Sequence, residues 1–230
     1  YILEKGSVYL VQLQENLKLP KHVEALANAK SSTGRLDLFT RLITDHGTEF
    51  DRVNAGYSGP LYAEIAPNSF SVLAKSGITL NQIRFKTRDN FKVQDREEAQ
   101  KGKRINERIV NNLTPAQTFS INLKNRYSNV VGYRAKPHTD LIDLQRTNFY
   151  EKEDFWEPVT TKFNKIVLDP GAFYILSSQE YVSVPPQLAA EMAPYLSMIG
   201  EFRVHYAGFF DPGFGYSSSG KQNSRAVLEV

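Results

Sequence analysis

Asn54-Ala55-Gly56-Tyr57, followed by Leu61-Tyr62-Ala63-Glu64-Ile65, has a counterpart in Asp211-Pro212-Gly213-Phe214, followed by Ala226-Val227-Leu228-Glu229-Val230. Each is a glycine-centred turn that ends on an aromatic residue and leads into an apolar strand carrying one glutamate. Two further echoes keep the same order. Tyr1-Ile2-Leu3 returns as Tyr174-Ile175-Leu176, and Leu17-Lys18-Leu19-Pro20 returns as Val182-Ser183-Val184-Pro185. One echo is within the reach of chance, but three in order argue for a duplicated β unit.

Outward from these segments, the pattern predicts short strands separated by turns. Strands are expected at Tyr1-Ile2-Leu3 and Val8-Tyr9-Leu10-Val11, and along the alternation of Leu36, Leu38, Leu42 and Ile43. Others follow over 60–65, 78–85, 118–123, 129–133, 141–144 and 182–184, with a Pro170-Gly171 hairpin over 166–176. Residues 21–29 are expected to form a helical turn or two, and residues 30–35 a loop. Charged residues dominate 86–112, which reads as a solvated helix and linker. The second copy stops at Val230 without a strand to match 78–85, and Tyr1 opens the chain abruptly. We therefore expect a first repeat over 1–94, incomplete at its N-terminus, a charged helix or linker over 95–112, and a second repeat over 113–230, incomplete at its C-terminus.

The 230 residues are 41% hydrophobic and 23% charged, which suffices for a buried core. The 12 Tyr and 14 Phe lean towards strands. A net charge of +3 is too mild for a nucleic-acid binder. No apolar run approaches the ~20 residues that span a membrane, and no signal peptide opens the chain, so a cytoplasmic protein is expected. There is no cysteine, which excludes disulfides, thiol nucleophiles and Cys-ligated zinc.

Two features carry chemistry. In Lys30-Ser31-Ser32-Thr33-Gly34-Arg35, two cations bracket two hydroxyls and a glycine. Such a run offers one anion charge-assisted donors, hydroxyls and backbone N–H groups together, as a polyphosphate requires. Its glycine spacing is not that of a Walker loop. The other feature is the glutamate inside an apolar strand, Glu64 in one copy and Glu229 in the other. A carboxylate facing the interior needs a partner or a task, and burial raises its pKa towards the range useful for general acid–base work.

These residues resemble the dCTP deaminase and dUTPase superfamily. Residues 30–35 resemble its Arg-Ser-Ser-x-x-Arg phosphate motif, with Lys in the first place. Phe210-Asp211-Pro212-Gly213-Phe214 and Val227-Leu228-Glu229 are similar to its Ile-Asp-Pro-Gly-aromatic turn and catalytic strand, and Gly77-Ile78-Thr79-Leu80-Asn81-Gln82-Ile83 to its closing strand. The nearest likeness is to the double-length bacterial deaminases. It implies a mainly β fold of two tandem dUTPase-like distorted β-barrels (β-clip type) with a few short helices, and a homotrimer. It implies hydrolysis of dCTP to dUTP and ammonia, with a glutamate-activated water attacking cytosine C4. Mg²⁺ would travel with the triphosphate, and no zinc would take part.

The departures suggest a division of labour. The second repeat has Ala193-Pro194-Tyr195-Leu196 where the clamp should fall, and the first has Asn54 in place of the family's aspartate. Lys30, Ser31, Ser32 and Arg35 would hold phosphates, while Ala207, Asp211, Val227 and Glu229 would hold and attack the base. Glu64 would be a remnant, or serve a second site. A dUTPase, or a bifunctional enzyme, is the alternative on the same fold; it would need an aspartate and a stacking tyrosine, and neither repeat has both. A non-catalytic nucleotide-binding module is the other alternative. His22, His46 and His138 share no ligand spacing. His205 stands near the base residues, and Lys221 and Arg225 lie in an expected hairpin tip over 215–225.

Overall fold

The repeated turn and strand fold the same way twice in the computed structural model, which describes residues 1–87, 119–124, 129–192, 209–217 and 224–230. The first half holds β1 (Ile2–Leu3), β2 (Tyr9–Lys18), β3 (Val23–Ala29), the one-turn helix α1 (Ser31–Gly34), β4 (Leu38–Thr44), β5 (Arg52–Val53), β6 (Ser58–Pro67), β7 (Val72–Leu73) and β8 (Asn81–Thr87). The second holds β9 (Val130–Ala135), β10 (Ile142–Asp143), the short helix α2 (Lys152–Phe155), β11 (Trp156–Thr160), β12 (Tyr174–Val182), β13 (Ala190–Glu191), β14 (Phe209–Phe210) and β15 (Ser224–Glu229). The fold is mainly β. The strands form the sheets β2-β6-β4, β5-β3-β8, β1-β7-β10, β11-β9-β12-β15 and β13-β14. The expected linker over 95–112 lies outside the described residues.

Register makes the internal likeness concrete. β2 pairs antiparallel with β6, with Leu10 opposite Glu64; β12 pairs antiparallel with β15, with Ile175 opposite Glu229. The first pairing slips between Gln12 and Asn16, the second between Ser177 and Tyr181, at the same point relative to the glutamate. The turns also match. Tyr57 N–H donates to Asn54 O at 3.1 Å, and Phe214 N–H to Asp211 O at 3.0 Å. Leu19 N–H donates to Tyr57 O, and Val184 N–H to Phe214 O, both at 2.8 Å. Gly56 (φ +78°) and Gly213 (φ +84°) occupy the left-handed position that such a turn demands at its third residue. One echo shifts: Tyr9-Leu10-Val11, not Tyr1-Ile2-Leu3, stands where Tyr174-Ile175-Leu176 stands. Tyr1-Ile2-Leu3 instead supplies β1, which pairs with β7.

The halves are joined by more than chain connectivity. β10 of the second half lies parallel to β7 of the first, completing the sheet that β1 begins. One core cluster combines Leu3, Leu38, Ala63, Ile65, Phe70 and Val72 with Ala135, Ile142, Phe155 and Phe173. At its centre Phe70 makes edge contacts with Phe155 (5.9 Å) and Trp156 (5.3 Å). Buried rings of this size each contribute roughly 1.5–3 kcal/mol, so the junction is a true core.

Several local expectations are corrected. Residues 21–29 are not helical; β3 runs through them, with Ala25 and Ala27 buried on alternate positions. The alanines favour helix locally, but β3 is hydrogen-bonded between β5 and β8 with Ala25 and Ala27 buried in a core, and that tertiary pairing wins over propensity. Residues 30–35 are a helical turn rather than a plain loop, since Lys30 O accepts from both Thr33 N–H and Gly34 N–H at 2.9 Å. The turn at Pro170-Gly171 forms, with Ala172 N–H donating to Asp169 O, but only its second arm is a strand. Val182 ends the long β12 rather than starting a strand of its own.

Gly132 in β9 shows how tightly the second half is built. A Cβ there would sit 2.5 Å from Ile175 O, a backbone atom of β12. Gly132→Ala is therefore expected to lower stability by about 1–3 kcal/mol, measured as a fall in thermal or urea midpoint. Among the described residues no helix is long and apolar enough to cross a membrane.

Candidate active site

A cavity of about 400 Å³ opens where the two halves meet. The first half contributes Asn28, Ala29, Lys30, Ser31, Arg35 and Gln82; the second contributes Asp211, Arg225, Val227 and Glu229, with walls from Met192, Phe209, Phe210 and Phe214.

One side of the cavity is held by two motifs acting on each other. β3 and β8 pair in register until Ala29 meets Asn81. Lys30 N–H then donates to Leu80 O at 2.9 Å, and the Thr33 hydroxyl to the same carbonyl, also at 2.9 Å. Lys30 Nζ donates to Thr79 Oγ1 at 2.8 Å, and Arg35 Nε to Ser31 O at 3.3 Å. The segment 77–83 thus fixes the turn that presents Lys30, Ser31 and Arg35 to the cavity. Ser31 and Arg35 are exposed, so their polar groups can meet a ligand.

On the opposite side, β15 alternates. Ala226 and Leu228 point into the core, and Val227 and Glu229 face the cavity. Glu229 is only 5% exposed. Burial pushes its carboxyl up to about 8; the Arg35 guanidinium pulls it down, and the Asp37 carboxylate adds to the rise. Asp37 is itself buried just beyond α1, in the left-handed conformation (φ +52°), and accepts a 2.6 Å hydrogen bond from Ser69 Oγ. A buried carboxyl with a raised pKa thus lies in one cavity with Lys30 and Arg35.

Glu64 occupies the corresponding place in the first half but has a different environment. It does not line the cavity. It accepts from Arg41 Nε at 3.1 Å, and that guanidinium stacks over Phe50 at 3.9 Å and Phe39 at 4.9 Å. The outer face of β6 leaves it half-buried rather than sealed. Tyr57 is also occupied elsewhere, since its hydroxyl donates to Pro60 O within its own turn.

Two family models match the chain. The 2'-deoxycytidine 5'-triphosphate deaminase N-terminal domain covers residues 1–89, and the C-terminal domain of the same enzyme covers 92–230. The chain belongs to the dCTP deaminase family. The crystal structure of 2'-deoxycytidine 5'-triphosphate deaminase from Agrobacterium tumefaciens is similar at 43% identity and a TM-score of 0.84, over 100% of this chain and 70% of that one. No curated protein matches.

Of the residues expected in the deaminase site, Lys30, Ser31, Arg35, Asp211, Val227 and Glu229 line the one cavity. Ser32 is exposed outside it, and Ala207 and His205 lie outside the described residues. Arg225 belongs to β15 rather than to a hairpin tip: its Nη1 donates to Ser178 O at 3.0 Å and its guanidinium stacks over Tyr181. Gln82 stood in the closing-strand motif without a role, and Asn28 and Asp37 were not anticipated. Asn28 sits two residues before the clamp, within reach of any reading that extended it upstream.

Proposed function

We propose that this chain hydrolyses dCTP to dUTP and ammonia, and that its two halves divide the work. The observation that carries the reading is the meeting, in one cavity, of the first half's clamp with the second half's buried Glu229. In this reading the halves are the two repeats, 1–94 and 113–230, about a linker. Lys30, Ser31 and Arg35 hold the triphosphate through charge-assisted and hydroxyl hydrogen bonds. Asp211 and Val227 stand on the base side with Glu229.

The Glu229 carboxylate takes a proton from water as the water oxygen bonds to C4, and passes that proton to ring N3. The resulting C4 carries both a hydroxyl and the amino group. Glu229 then takes the hydroxyl proton and delivers it to the amino group. The C4–N bond breaks, ammonia leaves, and C4 becomes the uracil carbonyl. A pKa near the working pH suits a residue that must accept and release the same proton. The Mg²⁺ ion stays with the triphosphate in this reading. Among the described residues Lys30, Arg35 and Arg225 supply the cavity's positive charge, and Asp211 and Glu229 are the carboxyls that line it.

Ammonia release from dCTP with Mg²⁺ tests the proposal directly. Release of dUMP from dUTP without ammonia from dCTP would favour the dUTPase reading instead; silence on both would favour a binding module. Glu64→Gln separates the two glutamates. It breaks only a partly exposed ion pair, so ammonia release should stay within about fivefold of the parent. Loss of activity there, with retention in Glu229→Gln, would reverse the division of labour. We also keep the homotrimer in the proposal. Val8, Leu10 and Val11 expose apolar surface at and before the start of β2, which suits a contact between copies.

A further inference from the structure

We propose that Arg84 is a positioning residue that locks the base side of the cavity in register with the phosphate clamp. Arg84 lies on β8, two residues after the cavity-lining Gln82, and so on the same face of the strand. It reaches across the junction between the halves. Its guanidinium stacks 3.7 Å from the centre of the Phe209 ring, and its Nη2 lies 3.6 Å from Glu191 Oε1.

Both contacts fall on one rung of the second half, because Glu191 and Phe209 are paired partners in the β13–β14 ladder. The next rung pairs Ala190 with Phe210, and Phe210 is followed by Asp211. A single planar cation therefore grips the two-stranded ribbon whose end becomes the base-side wall. That ribbon is only two residues long on each strand, too short to hold itself. The same β8 also supports the clamp through Leu80 and Thr79 just before it. One strand thus fixes both ends of the nucleotide.

The arrangement specifies arginine. A guanidinium can stack on an aromatic face while pairing with a carboxylate; an ammonium can do only one well. The side chain is 19% exposed, and its Nη1 is buried without a hydrogen-bond partner among the described residues. A buried unmatched donor is costly, which argues that the position is kept for the grip rather than for general stability.

This inference rests on the deaminase reading for its kinetic consequence, but not for its structural one. The test uses the full chain carrying Arg84→Ala, Arg84→Lys and Glu191→Gln, with dCTP turnover, inhibition by inorganic tripolyphosphate and amide hydrogen exchange measured on each. Arg84→Ala should raise the KM for dCTP about tenfold while kcat falls much less. Inhibition by tripolyphosphate should be unchanged, because the clamp is intact. Exchange at residues 209–211 should quicken while that of β2 and β6 does not. Arg84→Lys should shift KM in the same direction by less, and with Glu191→Gln it carries the test if the alanine variant fails to fold. Equal loss of dCTP and tripolyphosphate binding, or unaltered exchange at 209–211, would overturn the proposal. If the parent chain releases no ammonia from dCTP, the deaminase reading fails, and the exchange measurement still decides whether Arg84 grips the ribbon.

Discussion

Glu229→Gln lowers ammonia release from dCTP by about 10²- to 10⁴-fold, the range lost when a positioned acid–base group is removed. The amide keeps the shape of the side chain and cannot carry a proton between water and the leaving group. Binding of dCTP should survive, because the clamp residues are untouched. The same substitution has a stability signature. Burial raises the Glu229 carboxyl from its ordinary 4.5 to about 8. The folded form therefore holds this proton more tightly than the unfolded chain. The contribution is fully present below about pH 4.5 and is lost as pH rises to about 8. At ~1.36 kcal/mol per unit, the parent forfeits at most about 5 kcal/mol over that window. Glu229→Gln should thus match the parent in urea midpoint near pH 4 and exceed it near pH 8. Parallel pH profiles for the two proteins would show that Glu229 is not held protonated. In the active enzyme, kcat/KM should rise with pH along a limb centred near 8.

Arg35→Ala should lower kcat/KM for dCTP at pH 7 by about 10²-fold, through two separable effects. The first is loss of a charge-assisted contact to phosphate, worth about 1.5–3 kcal/mol. The second acts on Glu229. Arg35 is the group that pulls the buried carboxyl down, while Asp37 pushes it up. Without the guanidinium the carboxyl rises further, and less of it is ionised at neutral pH. The acid limb of kcat/KM should therefore move to higher pH, and raising the pH should recover part of the lost rate. Arg35→Lys should restore much of the limb but not all of the affinity, since an ammonium cannot pair bidentately with phosphate. A limb that stays in place in Arg35→Ala would mean that Arg35 serves binding alone.

Much of this architecture was legible in the sequence because its turns are chemically explicit. Asn54 to Tyr57 and Asp211 to Phe214 each place glycine where the backbone must turn left-handed, and the strand after each carries its glutamate at one register. The clamp was legible for the same reason: cations, hydroxyls and glycine are crowded into six positions. Tertiary packing hid the rest. The alanines of β3 read as helix until β5 and β8 flank them. The two glutamates are equivalent in sequence and in register, yet one is sealed in a cavity and the other is tied to Arg41; that difference depends on which surface each sheet meets. Asp37 gave no local sign of its influence on Glu229, which lies 192 positions later in the chain.

The shared sheet of β1, β7 and β10, with Phe70 packed against Phe155 and Trp156, has a consequence for how such a site endures dilution. A pocket assembled from separate subunits exists only while the subunits stay associated. Here the two walls are covalently one molecule and share one core, so each meets the other at an effective concentration that no change in protein level can reduce.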